Sequence, residues 1–144
     1  MENSSRVMYI RQKAISDALR KEYRQYLTGN LLKEQKYLKH IEEELEIGIS
    51  YYQEFTADIP HNHPKVTEHG LVLKGSIKMK ILDGSEQILQ FDEGDFFVVP
   101  AGVAHATKND AETKVLFIKS PGGNDKTPVE VDEQTREWLS KWEF

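Results

Sequence analysis

The stretch His61-Asn62-His63-Pro64-Lys65-Val66-Thr67-Glu68 places two histidines and a glutamate close together, and His105 follows a proline-containing turn farther on. His61 and His63 are two residues apart, so on a strand both imidazoles project from one face. Glu68 returns to that face if residues 64 and 65 turn into the next strand, and a closed barrel would bring in His105. Three neutral imidazoles and one carboxylate suit one divalent transition metal ion, such as Fe, Mn, Ni, Zn or Cu. The sequence therefore predicts a metal site formed by His61, His63, Glu68 and His105.

The chain around this stretch has the two-residue period of β-strands. Alternation begins at Leu45, and strand signals continue to Lys119. The positions expected to face inward have the even numbering of Glu68 before Gly75, whereas those after it have the odd numbering of Ile77. In one regular strand these two sets of side chains would face opposite sides. A bulge or kink at Gly75 would exchange the inward face. Turn signals separate the strands at Asp83-Gly84, Asp92-Glu93-Gly94 and Pro100-Ala101-Gly102. Many short strands punctuated by Gly and Pro predict a β-sandwich or barrel.

The two ends of the chain differ from this central region. Residues 1–44 are polar and charged, and they contain two stripes of helical period. The first predicts an amphipathic helix ending at Gly29 and comprises Ile15, Leu19, Tyr23 and Tyr26 or Leu27; the second comprises Leu31, Leu38, Ile41 and Leu45. Trp138 and Trp142 predict a short C-terminal helix that docks on the barrel. A single domain is thus divided into an N-terminal helical extension (1–44), a barrel (45–119) and a C-terminal loop and helix (120–144).

Composition excludes several classes of protein. The chain has 144 residues, enough for one domain. Its 19 basic and 24 acidic residues give a net charge of −5. The chain therefore lacks the excess of basic residues that binds the phosphates of nucleic acid. The absence of cysteine rules out disulfides, a thiolate nucleophile and cysteine-ligated metals. Because no apolar run could span a bilayer and no secretion signal is recognisable, we expect a cytoplasmic protein with no nucleic-acid or membrane partner.

Two predicted strands are apolar on both faces. Leu71-Val72-Leu73 and Phe96-Phe97-Val98-Val99 lack the alternation of a strand with one face in water. Either the N-terminal helices or a second subunit must cover the outside of this sheet. We therefore expect a homodimer.

Two spaced motifs resemble those of the cupin superfamily. The first, G-x5-H-x-H-x3–4-E-x6-G, matches at His61, His63, Glu68 and Gly75; the second, G-x5-P-x-G-x2-H-x3-N, matches at Gly94, Pro100, Gly102, His105 and Asn109. One position departs from the pattern, because Phe55 stands where the first motif begins with glycine.

The resemblance covers residues 45–119 and implies an all-β fold, the cupin double-stranded β-helix or jelly-roll barrel of a small single-domain bacterial-type cupin. It also implies that His61, His63, Glu68 and His105 are the metal ligands. His69 neighbours Glu68, but strand alternation turns it to the opposite face, so we do not expect it among the ligands.

The function that the resemblance implies is less specific than the fold, because one fold supports many chemistries. We expect a metal-dependent enzyme that acts on a small molecule, with dioxygenase-type chemistry favoured. The alternatives are a metal-dependent sugar or sugar-phosphate isomerase or epimerase, and a non-catalytic module that senses a metal or metabolite. Of the lysines available for a phosphate clamp, parity turns Lys78 and Lys80 outward but not Lys65 or Lys74. The residues expected to line the barrel predict a mostly apolar pocket suited to a small aromatic or dicarbonyl ligand; they are Tyr51, Gln53, Phe55, Val72, Met79 and Phe97 or Val98.

Overall fold

The structure is a computed structural model that describes residues 2–4, 7–31, 35, 40–42 and 44–143. Within these residues the chain forms short strands and two helices, in the order β1 (Glu2–Ser4), β2 (Val7–Tyr9), α1 (Gln12–Lys21), β3 (Arg24–Thr28), β4 (Glu46–Tyr52), β5 (Thr56–Ala57), β6 (His61–Asn62), β7 (Thr67–Lys74), β8 (Ser76–Ile81), β9 (Ile88–Asp92), β10 (Phe96–Val99), β11 (His105–Asn109), β12 (Thr113–Ser120), β13 (Thr127–Pro128) and α2 (Glu133–Trp138).

Two antiparallel sheets face each other. The five-stranded sheet has the order β10-β7-β12-β4-β3, and the six-stranded sheet has the order β13-β6-β11-β8-β9, with β5 added beside β11. Strands β1 and β2 form a separate two-stranded sheet. Neighbouring strands such as β4 and β12 are far apart in sequence, so the chain passes repeatedly between the sheets. The predicted all-β jelly-roll barrel is confirmed.

Gly75 is the point where the chain passes from one sheet to the other. It connects β7 to β8 with a backbone φ of +84°, and a Cβ at this position would overlap Thr113. Glycine is favoured because it adopts positive φ without steric cost. On either side of it, Val72 and Ile77 are both buried in the same core cluster, although their parity differs. The predicted exchange of the inward face is therefore confirmed.

Strand β4 is present where alternation predicts it, but its inward face is the opposite of the one expected. The buried positions are Glu46, Gly48, Ser50 and Tyr52, whereas Tyr51 and the isoleucines lie on the outer face. The expectation was wrong because apolar side chains also cover the outside of this sheet. Gln25 of β3 lies opposite Ile49 on that outer face, and its Nε2 donates to Ala18 O of α1 at 3.3 Å. Helix α1 therefore lies over the outer face of the sheet.

The N-terminal helix is confirmed at Gln12–Lys21, but it does not continue to Gly29. Residues 24–28 form β3 instead, which pairs with β4 and extends the five-stranded sheet. The predicted helix ends with two tyrosines, a leucine and a threonine, which suit strands as well as helices. This segment forms a strand because it pairs with the edge of the sheet. The second predicted helix lies largely outside the described residues. The division of the chain at residue 44 stays a prediction, although β3 shows that the sheet includes residues before it.

The C-terminal segment docks on the outer face of the six-stranded sheet, as predicted, but its helix ends at Trp138, so Trp142 lies beyond the helix and does not share its face. Helix α2 is capped by Asp132, whose side chain accepts from Thr135 N at 2.8 Å. Trp138 is buried, and its carbonyl accepts from Lys108 Nζ at 2.7 Å. Lys78 and Lys80 also point outward, as parity predicts, and donate to Trp142 O and Thr135 Oγ1.

The edge strand of the five-stranded sheet exposes apolar side chains. Phe96 is 60% exposed and Val98 46% exposed. A homodimer that covers this face stays a prediction. Of the helices that the structure describes, neither has the length or the apolar character needed to span a bilayer. The cytoplasmic location also stays a prediction.

Candidate metal centre

The four predicted ligands come from both sheets. His61 in β6 and His105 in β11 are direct partners across the six-stranded sheet, and His63 follows β6. Glu68 projects from β7 of the opposite sheet. Gly102, with φ +86°, donates its N–H to His63 O at 2.7 Å, so the turn before His105 is tied to the loop that carries His63. The two sequence motifs therefore meet at one point inside the barrel.

The donor atoms of these residues converge. Ligand atoms of His61, Glu68 and His105 all lie within 4.8 Å of one another. Glu68 Oε1 is 3.9 Å from His61 Nε2 and 2.5 Å from His63 Nε2. The spacing of the first three residues is compatible with one shared ion, and His63 adjoins them through Glu68. The four-ligand set therefore stays a prediction that this geometry supports.

Each histidine is oriented by a hydrogen bond at Nδ1. Nδ1 of His61 lies 2.5 Å from Ile59 O, Nδ1 of His105 lies 2.9 Å from Val103 O, and Nδ1 of His63 lies 2.7 Å from Asp125 Oδ1. Carbonyl and carboxylate oxygens accept hydrogen bonds, so Nδ1 is the protonated nitrogen in each ring. The Nε2 lone pairs are then free for a metal, which is the arrangement that metal-binding histidines adopt.

The carboxylate of Glu68 has an unsatisfied oxygen at the centre of this group. Its Oε1 is buried without a hydrogen bond of acceptable geometry, although His63 Nε2 is 2.5 Å away. Two electron-rich atoms this close require a cation between them, either a proton or a metal ion. Because the unsatisfied oxygen faces free imidazole nitrogens, the residues present fit a divalent transition metal ion.

The electrostatics of the site differ among the predicted ligands. Burial opposes the charged form of Glu68, but the imidazoles of His61 and His63 outweigh it and hold the pKa of the carboxyl well below its usual range. Burial lowers the pKa of His105, which keeps this imidazole neutral. Burial also opposes a charged His63, but Glu68 and Asp125 raise its pKa, so this ring favours a cation at Nε2. Metal ligands must be deprotonated at their donor atoms, which the low pKa of Glu68 and the lowered pKa of His105 favour, whereas at His63 a metal ion would have to displace a proton from Nε2.

Asp125 supports the site from the C-terminal loop and was missed by sequence reasoning. Besides contacting His63, it accepts at Oδ2 from the backbone N–H groups of Lys65 and Val66, at 2.7 and 3.1 Å. One carboxylate thus fixes both the imidazole of His63 and the turn that leads to Glu68. No sequence signal marks this residue, because it lies far from the motifs in an irregular segment.

The cavity beside the donors has a volume of about 160 Å³ and is more polar than predicted. Of the residues expected to line it, Met79 and Phe97 do so. Tyr51 instead lies on the outer face, where its hydroxyl donates to Glu112. The wrong inward face assigned to β4 explains this error, since it turned Tyr51 inward and Tyr52 outward. Besides Tyr26, Glu68 and the histidines, His69 among them, the polar residues that line the cavity are Arg24, Ser50, Tyr52, Asp58, Thr107, Asn109, Lys119, Asn124 and Lys126.

His69 does not belong to the group of donors. It pairs with Val98 and Ile118 across its two neighbouring strands, on the outer face of the sheet. Its ring stacks on Phe96 with centroids 6.2 Å apart. This is the orientation that strand alternation predicts.

Comparison with known families agrees with this geometry. Residues 51–119 match the family described as the cupin domain. Residues 51–119 form a cupin domain. Similar proteins include germin-like protein subfamily T member 3 of Arabidopsis thaliana, which is 35% identical over 78 residues, covering 50% of this chain and 34% of that protein. An uncharacterised protein of Aquifex aeolicus is 37% identical over 81 residues, covering 54% of this chain and 62% of that protein. The chain thus spans less than two thirds of each of these relatives.

Solved structures share the fold of this cupin domain. KdgF from Halomonas sp. superposes with a TM-score of 0.54 and 18% identity, over 71% of this chain and 80% of that protein. An oxalate decarboxylase of Bacillus subtilis superposes with a TM-score of 0.53 and 22% identity, over 60% of this chain and 24% of that protein. At these identities the likeness concerns the fold alone.

Proposed function

We propose that this protein is a metal-dependent enzyme that converts a small molecule at the His61, His63, Glu68 and His105 centre. The observation that carries the proposal is that all three imidazoles are held at Nδ1 by an oxygen acceptor, while Nε2 of His61 and Nε2 of His63 lie 3.9 and 2.5 Å from Glu68 Oε1. A merely structural cluster would not need three histidines in the same tautomer around an unsatisfied carboxylate oxygen. The similarity of fold to a Bacillus subtilis oxalate decarboxylase with Mn(II) centres makes Mn²⁺ a suitable first ion to test.

The residues of the chain would divide the work between holding the ion and holding the ligand. A bound divalent ion supplies Lewis-acid polarisation of ligand oxygens and, if it is redox-active, electron transfer. Asp125 fixes the direction of His63, and the carbonyls of Ile59 and Val103 fix His61 and His105. The surrounding polar wall orients a small ligand beside the donors, which lowers the entropic cost of bringing reactants together.

Among reactions, we favour dioxygenase-type chemistry, in which an organic ligand and dioxygen meet beside the metal donors. Isomerisation or epimerisation is the second candidate, because the cavity also contains groups suited to proton transfer. Burial and nearby Asp58 raise the pKa of Tyr52 to about 12, so its hydroxyl stays protonated and can donate. Asp58 supplies a carboxylate on the same wall. A sensor that binds metal and ligand without turnover is the non-catalytic alternative.

The experiment that separates these functions is reconstitution of the purified protein with Fe²⁺, Mn²⁺, Ni²⁺, Zn²⁺ or Cu²⁺. Each form is incubated with a panel of small organic acids and sugars, while an oxygen electrode and NMR follow the reaction. Oxygen consumption that requires both Fe²⁺ and an organic ligand, and that is absent in His63→Ala, is the expected result. Turnover with Zn²⁺ in the absence of oxygen would instead establish isomerase-type chemistry. Ligand binding without turnover for any ion would contradict the enzymatic proposal.

A further inference from the structure

Lys119 is a buried cation for which the described residues provide no ion-pair partner. It projects from β12 into the cavity, and its side chain is only 7% exposed. Its Nζ lies 5.7 Å from the ring centroids of both Tyr26 and Phe117. Among the residues that the structure describes, it makes no hydrogen bond or ion pair. Burial of an unpaired ammonium is costly, so such a group points to a missing anion.

The two carboxylates nearest to Lys119 along the sheet have other partners. Glu46 and Glu68 are its direct partners on the neighbouring strands β4 and β7. Glu46 Oε1 accepts from Gly123 N at 2.8 Å, and Glu68 is turned toward His63. Neither forms an ion pair with Lys119 within the described part of the chain. Lys119 is therefore not explained as the partner of a neighbouring acidic residue.

Arg24 is a second cation on the same wall. Its Nε donates to Ser50 Oγ at 3.0 Å and its Nη2 to Tyr52 Oη at 3.3 Å, which leaves Nη1 directed to neither. Its guanidinium carbon is 5.5 Å from the centroid of Phe117, the ring that Lys119 also approaches. Both cations therefore approach the same aromatic ring. No carboxylate among the described residues pairs with Arg24.

The charge of the whole cavity supports an anionic ligand. Its lining contains three cations and two carboxylates, apart from the histidines: Arg24, Lys119 and Lys126 against Asp58 and Glu68. A divalent ion at the donors would add two further positive charges. A neutral sugar would leave this excess charge uncompensated, whereas a ligand with two negative charges would offset most of it.

We propose that the cavity binds a small dicarboxylic acid, with one carboxylate at the metal donors and the other held by Arg24 and Lys119. This inference rests on the proposed metal centre and names the substrate class that it accepts. Arg24 Nη1 and Lys119 Nζ, which have no acceptor among the described residues, can each donate to one oxygen of a ligand carboxylate, and hydrogen bonds of this charge-assisted kind are the strong ones. The volume of about 160 Å³ restricts the ligand to a small molecule.

Matched pairs of ligands test the proposal with the Mn²⁺-loaded protein. Succinate, glutarate and 2-oxoglutarate are each compared by calorimetry with butanoate, pentanoate and 2-oxopentanoate, in which a methyl group replaces the second carboxylate. We expect at least one diacid to bind about 10- to 100-fold more tightly than its monoacid, the value of a charge-assisted hydrogen bond. Equal affinities in all three pairs, or no binding of any diacid, would overturn the inference.

Lys119→Met and Lys114→Met provide the matched variants. Both remove a lysine from β12, but Lys114 lies on the outer face of the strand, over the ring of Tyr51. Lys119→Met should abolish the preference for the diacid, and Lys114→Met should retain it. Mn²⁺ binding is measured first in each protein. Normal Mn²⁺ binding without a preference for diacids would disprove this inference alone, whereas absent Mn²⁺ binding in the wild type would disprove the metal centre on which it rests.

Discussion

Two buried lysines on opposite sheets differ in what surrounds them. Lys108 lies between the six-stranded sheet and the C-terminal segment with no exposed surface, and its Nζ donates to Trp138 O and Lys141 O at 2.7 and 2.8 Å. Lys119 lies inside the barrel, beside aromatic rings but without a hydrogen bond among the described residues. The first lysine is satisfied by the protein and holds the C-terminal segment in place. The second faces a cavity that contains the metal donors.

This difference separates structural burial from burial for a ligand. Removal of a charged side chain whose hydrogen bonds are made within the fold leaves buried acceptors without a donor, and it should therefore lower stability. A charge that the fold leaves unpaired lowers stability, and its retention is explained by a ligand. The predictions below test whether the barrel interior and the docked C-terminal segment differ in this way.

The largest expected effect is the loss of metal binding in His105→Ala. Removal of a donor should lower Mn²⁺ affinity by more than the roughly 10- to 100-fold effect of a residue that only orients a ligand. His69→Ala is the control, because this imidazole lies on the outer face of the same barrel. Metal content after dialysis and calorimetric titration measure the difference. Equal affinity in the two variants would remove His105 from the centre.

Asp125→Asn should reduce Mn²⁺ affinity by about 10- to 100-fold, because the carboxylate that orients His63 loses its charge. The single amide oxygen can still accept from the N–H groups of Lys65 and Val66, so the loop should remain folded, whereas the amide NH2 cannot accept from His63 Nδ1. Asp110→Asn serves as the control, since within the described part of the chain the Asp110 side chain accepts only from the adjacent Ala111 N–H. The metal-free variants are also compared by chemical denaturation. A loss of stability without a loss of metal affinity would show that Asp125 acts only on the loop.

The same substitution at the two lysines should affect stability differently. Lys108→Met leaves the carbonyls of Trp138 and Lys141 without their donor, and we expect the free energy of unfolding to fall by about 2 kcal/mol. Lys119→Met removes an unpaired charge while keeping a similar apolar stem, and we expect a change below about 0.5 kcal/mol or a gain. Urea denaturation of the metal-free proteins measures both values. Similar losses for the two variants would contradict the distinction between the regions.

Stability should also depend on pH through Lys108. Burial lowers the pKa of this lysine from 10.5 to about 8, so between these values the unfolded state binds more protons than the folded state. Stability should therefore rise with pH across this window in the wild type relative to Lys108→Met. Denaturation curves at pH 7.5, 8.5 and 9.5, values chosen to sample ~2 pH units across the titration, measure the difference. A difference that falls as pH increases would show that Lys108 favours its charged form in the folded state.

The ease of prediction differs between the predicted metal ligands and the rest of the cavity. His61, His63 and Glu68 are close in sequence, and His105 belongs to a motif with its own turn residues, so local spacing was sufficient to propose them. Arg24 could not be assigned in the same way, because it enters the cavity only through the pairing of β3 with β4. Lys119 has the same sequence signature as a surface lysine. Its burial depends on which face of β12 turns inward.

The sequence by itself determined the β-rich architecture, the passage between sheets at Gly75 and the residues that converge on the centre, because strand period and turn chemistry are local properties. Tertiary structure decided which face of β4 and β12 is internal, since both faces of that sheet are covered by apolar groups and hydrophobicity does not distinguish them. It also decided the partner of each buried charge. Those partners come from segments far away in the chain, and only the closed barrel and the docked C-terminal segment bring them together.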